Sequence, residues 1–343
     1  RNDLQCVSIE HKMGIKASPT CHMLFDSAQA EIIGEPGQGL KLMFEMMNHA
    51  RLDVALQGVA HASRAGQIAR AYAAERVQGG VAIDQHPDVQ RMLDEIHMLA
   101  LGARGLAHLA YVELIKADKP DLVELLTHLA KVYCSNAGVK AADLAMQVLG
   151  GYGYLQEYQV EQIYRDARIC QIYEGANGIH ELALVTRQLK KTTPYVELAE
   201  FLSADQSLEM GMDEEVEDLL AVHSMTSALE DPRAVAHEFS TLVAETILTY
   251  IWQKAELAAS QHPEPSRIDR LTDRAYSKRY VALEQFKMAY PMDESAFVDP
   301  AQNETMELQK TFAKLRKDTL KSVLNRRTDP NAKFDSSKMK IPI

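Results

Sequence analysis

The spacing of apolar positions changes near residue 35. Before it, residues 6–9, 21–25 and 30–33 are short apolar or alternating runs. Gly14, the pair Ser18-Pro19 and Gly34-Glu35-Pro36-Gly37 separate them as turn signals. These runs predict the last strands of a β-domain over residues 1–35. Two or three strands are too few for a sheet that stands alone in water, so the chain reads as part of something longer, with an N-terminal portion missing. From Gly39 the period is helical: Leu40, Met43, Met47, Val54 and Leu56 open an apolar face that runs to about Arg76 and stops at Gly79-Gly80. Such a helix is roughly 55–60 Å long at 1.5 Å per residue. His86-Pro87 opens a second helix, carrying Val89, Met92, Leu93, Ile96 and Leu99, that ends near Asp118-Lys119-Pro120. A third runs from Pro120 to Leu149 and is closed by Gly150-Gly151, and shorter helices are expected over 160–168 and 177–190. Long helices, short connections and alanine at packing positions predict an antiparallel bundle over residues 36–191.

Lys190-Lys191-Thr192-Thr193-Pro194 reads as a boundary, and residues 192–330 as a further helical extension. Its clearest helix starts at Asp231-Pro232, with Val235, Phe239, Val243, Ile247, Tyr250 and Ile251 on one face and Trp252 beside them. That face suits the core of a bundle. Further helices are expected over 267–290 and 303–324, and a disordered tail over 331–343. The fold class is mainly α: the end of a β-domain, an antiparallel helical bundle, then a helical C-terminal extension.

Composition narrows the functional classes. With 46% hydrophobic and 25% charged residues the chain is an ordinary globular one. A net charge of −11 provides no basic face for nucleic acid. Cys6, Cys21, Cys134 and Cys170 are scattered without a CxxC spacing, as in a reducing compartment. No apolar run approaches the length that spans a bilayer, and residues 1–30 carry no charged-then-apolar signal segment. No metal site is expected. His180-Glu181 opens like a zinc helix, but Leu184 stands where the second His is needed, and His11, His22 and His49 lack ligand spacing.

The chemistry concentrates in Gln147-Val-Leu-Gly-Gly-Tyr-Gly-Tyr154 and in Tyr164-Arg-Asp-Ala-Arg-Ile-Cys-Gln-Ile-Tyr-Glu-Gly-Ala-Asn-Gly178. In the first, a helix ends in a glycine cluster where backbone can approach a ligand, or where the chain merely turns. The cluster follows a helix and has Gln156 where a dinucleotide fingerprint needs Gly, so it is no such fingerprint. In the second, Glu174 stands between apolar Ile172-Tyr173 and Gly175. There it is either a solvated loop carboxylate or a base strengthened by an apolar surround. Arg165, Asp166 and Arg168 read as a surface ion-pair face.

Taken in order, these stretches resemble the acyl-CoA dehydrogenase family, from the first residues to about Lys190. Lys12-Met-Gly-Ile-Lys-Ala-Ser18 and Gly34-Glu-Pro-Gly-Gln-Gly-Leu40 are similar to the end of the family's central β-domain. Asn48-His-Ala-Arg-Leu52 is similar to the start of its first long C-terminal helix, and Tyr72-Ala-Ala-Glu-Arg-Val-Gln-Gly79 to the segment that reaches FAD phosphates of a neighbouring subunit. The resemblance implies a flavoprotein that converts an acyl-CoA thioester to a trans-2-enoyl-CoA. Glu174 would remove the α-proton, its backbone N–H would hold the thioester oxygen, and FAD would accept the β-hydride. It further implies that Arg76 and Gln78 contact FAD phosphates and that Gln147, Gly150 and Gly151 contact the adenosine, both across a subunit interface. Ala176 would lie in the flavin region, and Arg51, Tyr173 and Gly175 at the substrate. Branches that carry their base on the first long helix have it where Ala50 stands here, so the resemblance implies Glu174 as the base. Ala176 replaces a common Thr, Gln162 a basic residue and Gly79 an aromatic one.

Glu174-Gly-Ala-Asn-Gly-Ile179 looks closest to an extended bacterial branch resembling 3-methylmercaptopropionyl-CoA dehydrogenase. The partners implied are an electron-transfer flavoprotein as acceptor and further copies of the chain in a homodimer or homotetramer. The implied location is the bacterial cytoplasm, or the mitochondrial matrix of a eukaryote. A flavin oxidase on the same scaffold and a non-catalytic helical scaffold are the competing readings.

Overall fold

The computed structural model describes residues 3–208 and 211–290. β1 (Leu4–Ile9) and β2 (Cys21–Phe25) form one antiparallel hairpin, and every residue of both is exposed. The third strand expected over residues 30–33 does not form: no neighbouring strand among the described residues offers it a ladder, and Ile32 and Ile33 lie in open solvent. The connection between β1 and β2 is held against the bundle. The backbone N–H of Ile15 donates to Asp166, and the Arg165 guanidinium donates to the Met13 carbonyl (2.9 Å). Arg165 and Asp166 therefore dock the hairpin rather than forming a solvated face.

α1 (Gly39–Glu75), α2 (Pro87–Lys116) and α3 (Pro120–Leu149) run up, down and up, and the short pair β3 (Val77–Gln78) and β4 (Val81–Ala82) follows α1. Tyr111 donates to Asp53, Arg104 to Ser63 and Arg70 to His97, so the α1–α2 register is antiparallel. Proline opens both α2 and α3, where its missing N–H costs nothing. The face of α1 towards α3 is made of small residues: Ala55, Ala62, Ala65, Ala69 and Ala73 are fully buried. Gly58 lets the backbones meet, since a Cβ there would stand 2.1 Å from the Cys134 carbonyl oxygen. α2 is apolar and long enough to cross a membrane by length and composition, which corrects the expectation that no run approaches that length. It lies instead in the bundle, with Leu93, Ile96, Leu106 and Ala110 buried in the core shared with α1 and α3.

After α4 (Val160–Arg168), the helix expected over 177–190 forms as one continuous helical run whose winding changes along it. α5 (Asn177–Ala183) gives way to a π-helical turn at Leu184–Gln188 and a 3-10 turn at Leu189–Lys191. α6 (Thr193–Ser203) begins directly at Pro194, and Tyr195 donates to the Leu184 carbonyl (2.9 Å). α7 (Asp213–Ala228), α8 (Ala236–Leu257) and α9 (Pro265–Ala289) complete the described chain. Asp231 caps a 3-10 turn ahead of α8, accepting from the Arg233 N–H. Tyr195, Leu198, Phe239, Val243, Ile247 and Phe286 join Leu122, Leu125 and Leu129 of α3 in one continuous core, so the sequence on both sides of Lys190–Pro194 packs together. The helix expected over 303–324 and the tail over 331–343 fall outside the described residues.

Candidate active site

Two clusters of the expected residues lie far apart along α1. Arg51 stands about a third of the way along this helix and Arg76 is its C-cap, 25 positions further on, roughly 37 Å at 1.5 Å per residue.

At the first cluster, the chain leaves α4, makes a 3-10 turn at Ile169–Gln171, and enters a bend in which Glu174 (φ 55°) and Gly175 (φ 91°) are both left-handed. That conformation is easy for glycine and strained for glutamate. Gly175 is required there, because a Cβ would also stand 2.9 Å from Nε2 of His180. Glu174 is half-buried, and its Oε2 is buried without a hydrogen-bond partner. Its backbone N–H likewise donates to nothing among the described residues. Arg51 is beside it: its Nη1 donates to Asn48 (2.9 Å), and its Nε is buried without a partner. Burial, and then the charge of Arg187, push the Arg51 pKa below its ordinary value, while Glu174 acts in the opposite sense. Tyr173 donates its hydroxyl to Oε1 of Gln57 on α1, and burial holds its pKa above the usual phenol range. Ala176 is exposed and immediately precedes α5, whose two turns begin at Asn177.

Three residues that sequence reasoning passed over hold this bend. Lys131 of α3 is fully buried and donates to the Gly175 carbonyl (2.6 Å) and to Oδ1 of Asn177 (2.9 Å). Burial pushes its pKa down to about 8. His180 of α5 lies against the Glu174 carbonyl (3.0 Å) and against Nδ1 of His128 (2.7 Å). A signal for them existed. Glu124, His128 and Lys131 recur at i, i+4 and i+7 on a helix otherwise largely apolar, which puts three polar groups on one inward face.

At the other cluster, Tyr72, Arg76, Gln78, His86, Gly150, Gly151 and Tyr152 line a cavity of about 650 Å³ between the ends of α1 and α3 and the start of α2. The Arg76 guanidinium lies 5.5 Å from the Tyr152 ring centre and has no carboxylate partner among the described residues. A Cβ on Gly150 or Gly151 would meet nothing within 4 Å among the described residues, and Gly151 has no left-handed backbone to explain it. The space these glycines leave open is therefore external. Gln147 is exposed on α3, one turn earlier, and does not line the cavity. An unpaired cation beside an open glycine backbone suits an anionic group such as a dinucleotide phosphate.

Comparisons with known proteins converge on one family. Residues 37–189 match the model described as the acyl-CoA dehydrogenase C-terminal domain. The chain is 42% identical over 207 residues to 3-methylmercaptopropionyl-CoA dehydrogenase of Ruegeria pomeroyi, covering 55% of this chain and 35% of that protein. It is 33% identical over 187 residues to an acryloyl-CoA reductase (NADH) of Anaerotignum propionicum, covering 53% of this chain and 46% of that one. The chain thus spans less than half the length of both. Among solved structures, an acyl-CoA dehydrogenase of Bacillus anthracis complexed with FAD superimposes with a TM-score of 0.71 at 20% identity, over 91% of this chain and 60% of that one. At that identity the likeness is one of fold, and it extends through the helices after Pro194.

Proposed function

We propose, from the match of residues 37–189 to the acyl-CoA dehydrogenase C-terminal domain, that the protein dehydrogenates an acyl-CoA thioester between its α and β carbons, with Glu174 as the base. One observation carries the assignment: a single bend presents a buried carboxylate oxygen and a backbone N–H that nothing among the described residues uses. A buried acceptor left without a donor is costly, so such a pair is retained where a ligand completes it.

The two groups suit complementary tasks. The Glu174 N–H is placed to donate to the thioester oxygen, where negative charge grows as the α-proton leaves; this lowers the barrier to a proton transfer that a carboxylate could not otherwise manage. The carboxylate Oε takes that proton. Arg51, half-buried beside it, adds a positive charge that offsets the developing enolate. Bound FAD supplies the acceptor for the hydride that leaves the β carbon, giving the trans-2-enoyl product. Arg76 and Gln78 would hold FAD phosphates, and the open backbone at Gly150 and Gly151 the adenosine part, with Gln147 exposed one turn earlier on α3. Because Arg51, beside Glu174, and Arg76 are about 37 Å apart along the axis of α1, the FAD held by this cavity serves the Glu174 of a neighbouring copy, and each site is shared between copies in a homodimer or homotetramer. The remaining partners follow from the same reading: an electron-transfer flavoprotein as acceptor, in the cytoplasm of a bacterium, in keeping with four free cysteines.

The test is anaerobic. Saturated acyl-CoAs of graded length are added to the flavin-loaded protein and to its Glu174→Gln variant, and the visible flavin band is followed. Bleaching in the wild type alone is expected. A flavin that no thioester bleaches, or equal bleaching in both proteins, overturns the assignment.

A further inference from the structure

The bend that carries Glu174 is the end of a buried chain of hydrogen bonds whose proton positions the geometry dictates. The Arg187 Nη2 lies 3.1 Å from Nε2 of His128. A guanidinium only donates, so this His128 nitrogen accepts and the ring proton sits on Nδ1. The two Nδ1 atoms of His128 and His180 are 2.7 Å apart, so one donates and the other accepts. His128 is the donor, and the proton of His180 is left on Nε2, which donates to the Glu174 carbonyl at 3.0 Å. Either imidazole in its charged form would place two N–H groups head to head. Burial acts in the same direction on both rings, bringing His128 down to about 3 and His180 to about 4. The outer end of the chain is at the surface, where Arg187 pairs with Glu124 (2.9 Å) and Lys191 bridges Glu124 and Asp121 (2.9 and 2.7 Å).

We propose that His180 is a positioning residue for the base: its Nε2–H holds the left-handed Glu174–Gly175 turn, and Arg187 acting through His128 fixes the tautomer that makes this bond possible. The turn needs such an anchor, because a glutamate at φ 55° relaxes to an extended conformation unless its surroundings over-determine it. Relaxation would swing the carboxylate and the N–H out of register together. Lys131 holds the next carbonyl, so adjacent peptide groups of the turn are each pinned by a buried donor from a different helix. On the far side, Glu181 pairs with His237 of α8 (2.9 Å), which keeps α5 from rotating away from the chain of imidazoles. Residues 52 and 59 positions apart thus set one bend.

The inference rests on the dehydrogenase reading, and its test separates the two. Flavin-loaded wild type, His180→Leu, His180→Gln, Arg187→Met and the double variant His180→Leu/Arg187→Met are mixed anaerobically with the fastest saturated acyl-CoA of the panel, and with its α-deuterated form. In His180→Leu the limiting bleaching rate is expected to fall about 100-fold, the size of a sub-ångström to ångström misplacement of a reacting group, with thioester affinity within about threefold of wild type. The isotope effect rises as proton removal becomes rate-limiting. His180→Gln, which keeps a donor in reach of the Glu174 carbonyl, recovers the rate to within about tenfold. Arg187→Met slows the wild type about threefold or more and adds nothing to His180→Leu, as members of one chain are non-additive. Should His180→Leu lose its flavin, the Arg187→Met rate decides: a loss of that size supports the chain and no loss overturns it. A His180→Leu rate within about threefold of wild type overturns the inference alone, as does a His180→Gln variant as slow as His180→Leu. Wild-type protein bleached by no acyl-CoA overturns the dehydrogenase reading and this inference with it.

Discussion

Replacing Gly58 by alanine tests the packing that places Gln57, and with it Tyr173, beside the base. The added Cβ would lie 2.1 Å from the Cys134 carbonyl oxygen, 2.4 Å from its carbon and 2.9 Å from the Ser135 nitrogen. All three are backbone atoms of α3, so no side chain can swing aside. Ordinary contact begins near 3.4 Å, which requires α1 and α3 to part locally by about 1.3 Å. Gaps of this size forfeit a quarter to a half of the dispersion energy of the atoms that line them, here the fully buried Ala55, Ala62 and Ala141. Overpacking in a core costs about 1–3 kcal/mol, and a clash between two backbones belongs at the upper end. With about 2–4 °C per kcal/mol for domains of this size, about 3 kcal/mol lowers the melting temperature by about 6–12 °C. Circular dichroism at 222 nm on the whole chain measures it. Gly138→Ala is the internal control, since its Cβ would stand 3.0 Å from the Gly58 oxygen; a smaller loss, about 1 kcal/mol, is expected. A Gly58→Ala protein melting within about 2 °C of wild type, or a Gly138→Ala protein that melts lower than it, would refute the described approach of the two helices.

Gly151→Ala should leave melting within about 1 °C of wild type, because its Cβ meets nothing among the described residues, yet the protein should retain less FAD after gel filtration; unchanged flavin content contradicts the cradle. His180 should make folding sensitive to acid. The unfolded imidazole protonates near its ordinary 6.5 and the folded one only at about 4, so between these values the unfolded chain binds more protons and stability falls as pH drops. Urea titrations at several pH values should show wild type losing up to a few kcal/mol relative to His180→Gln across that window, and a constant difference rules the idea out. Glu245 behaves oppositely: burial, reinforced by Glu95, raises its pKa to about 7 despite Lys278, so its penalty grows as pH rises from about 4.5 to 7. Glu245→Gln should therefore stabilise by about 1–3 kcal/mol near pH 8 and by almost nothing near pH 4.5; stabilisation equal at both excludes the buried charge as its cause.

The bundle was legible because its signals are local. Pro87 and Pro120 mark the starts of α2 and α3, Gly79-Gly80 and Gly150-Gly151 the turns that end their neighbours, and the apolar face of α8 from Val235 to Ile251 reads off at helical spacing. The strand expected over 30–33 failed for a non-local reason, since a strand is made by its neighbour and none stands beside it among the described residues. The helix expected over 177–190 forms, but its change of winding has another non-local cause. Residues 184–188 keep a helical composition, but Tyr195 bonds the Leu184 carbonyl from outside, where the chain widens into a π-turn before α6 packs back onto α3. Nothing in the spacing of residues 177–190 encodes that contact.

The site divides along the same line. Glu174, Tyr173 and Gly175 were found because they are contiguous, and Arg76 and Gly150 because each belongs to its own short motif. The groups that hold the bend in place are Gln57, His128, Lys131, His180 and Arg187, drawn from helices far apart in sequence, and none was read from its own stretch as a support of Glu174. The carboxylate proposed as the base has to be reactive, and its Oε2 is buried without a partner; a strained bend has to be rigid, and the carbonyls of Glu174 and Gly175 are each held by a buried donor. In this chain the first requirement falls on one residue and the second on two buried helices. A polar triad at i, i+4 and i+7 inside an apolar helix is therefore the feature to look for when a base has been located and its supports have not. Here that triad is Glu124, His128 and Lys131, and two of its members reach the bend, Lys131 directly and His128 through one further imidazole.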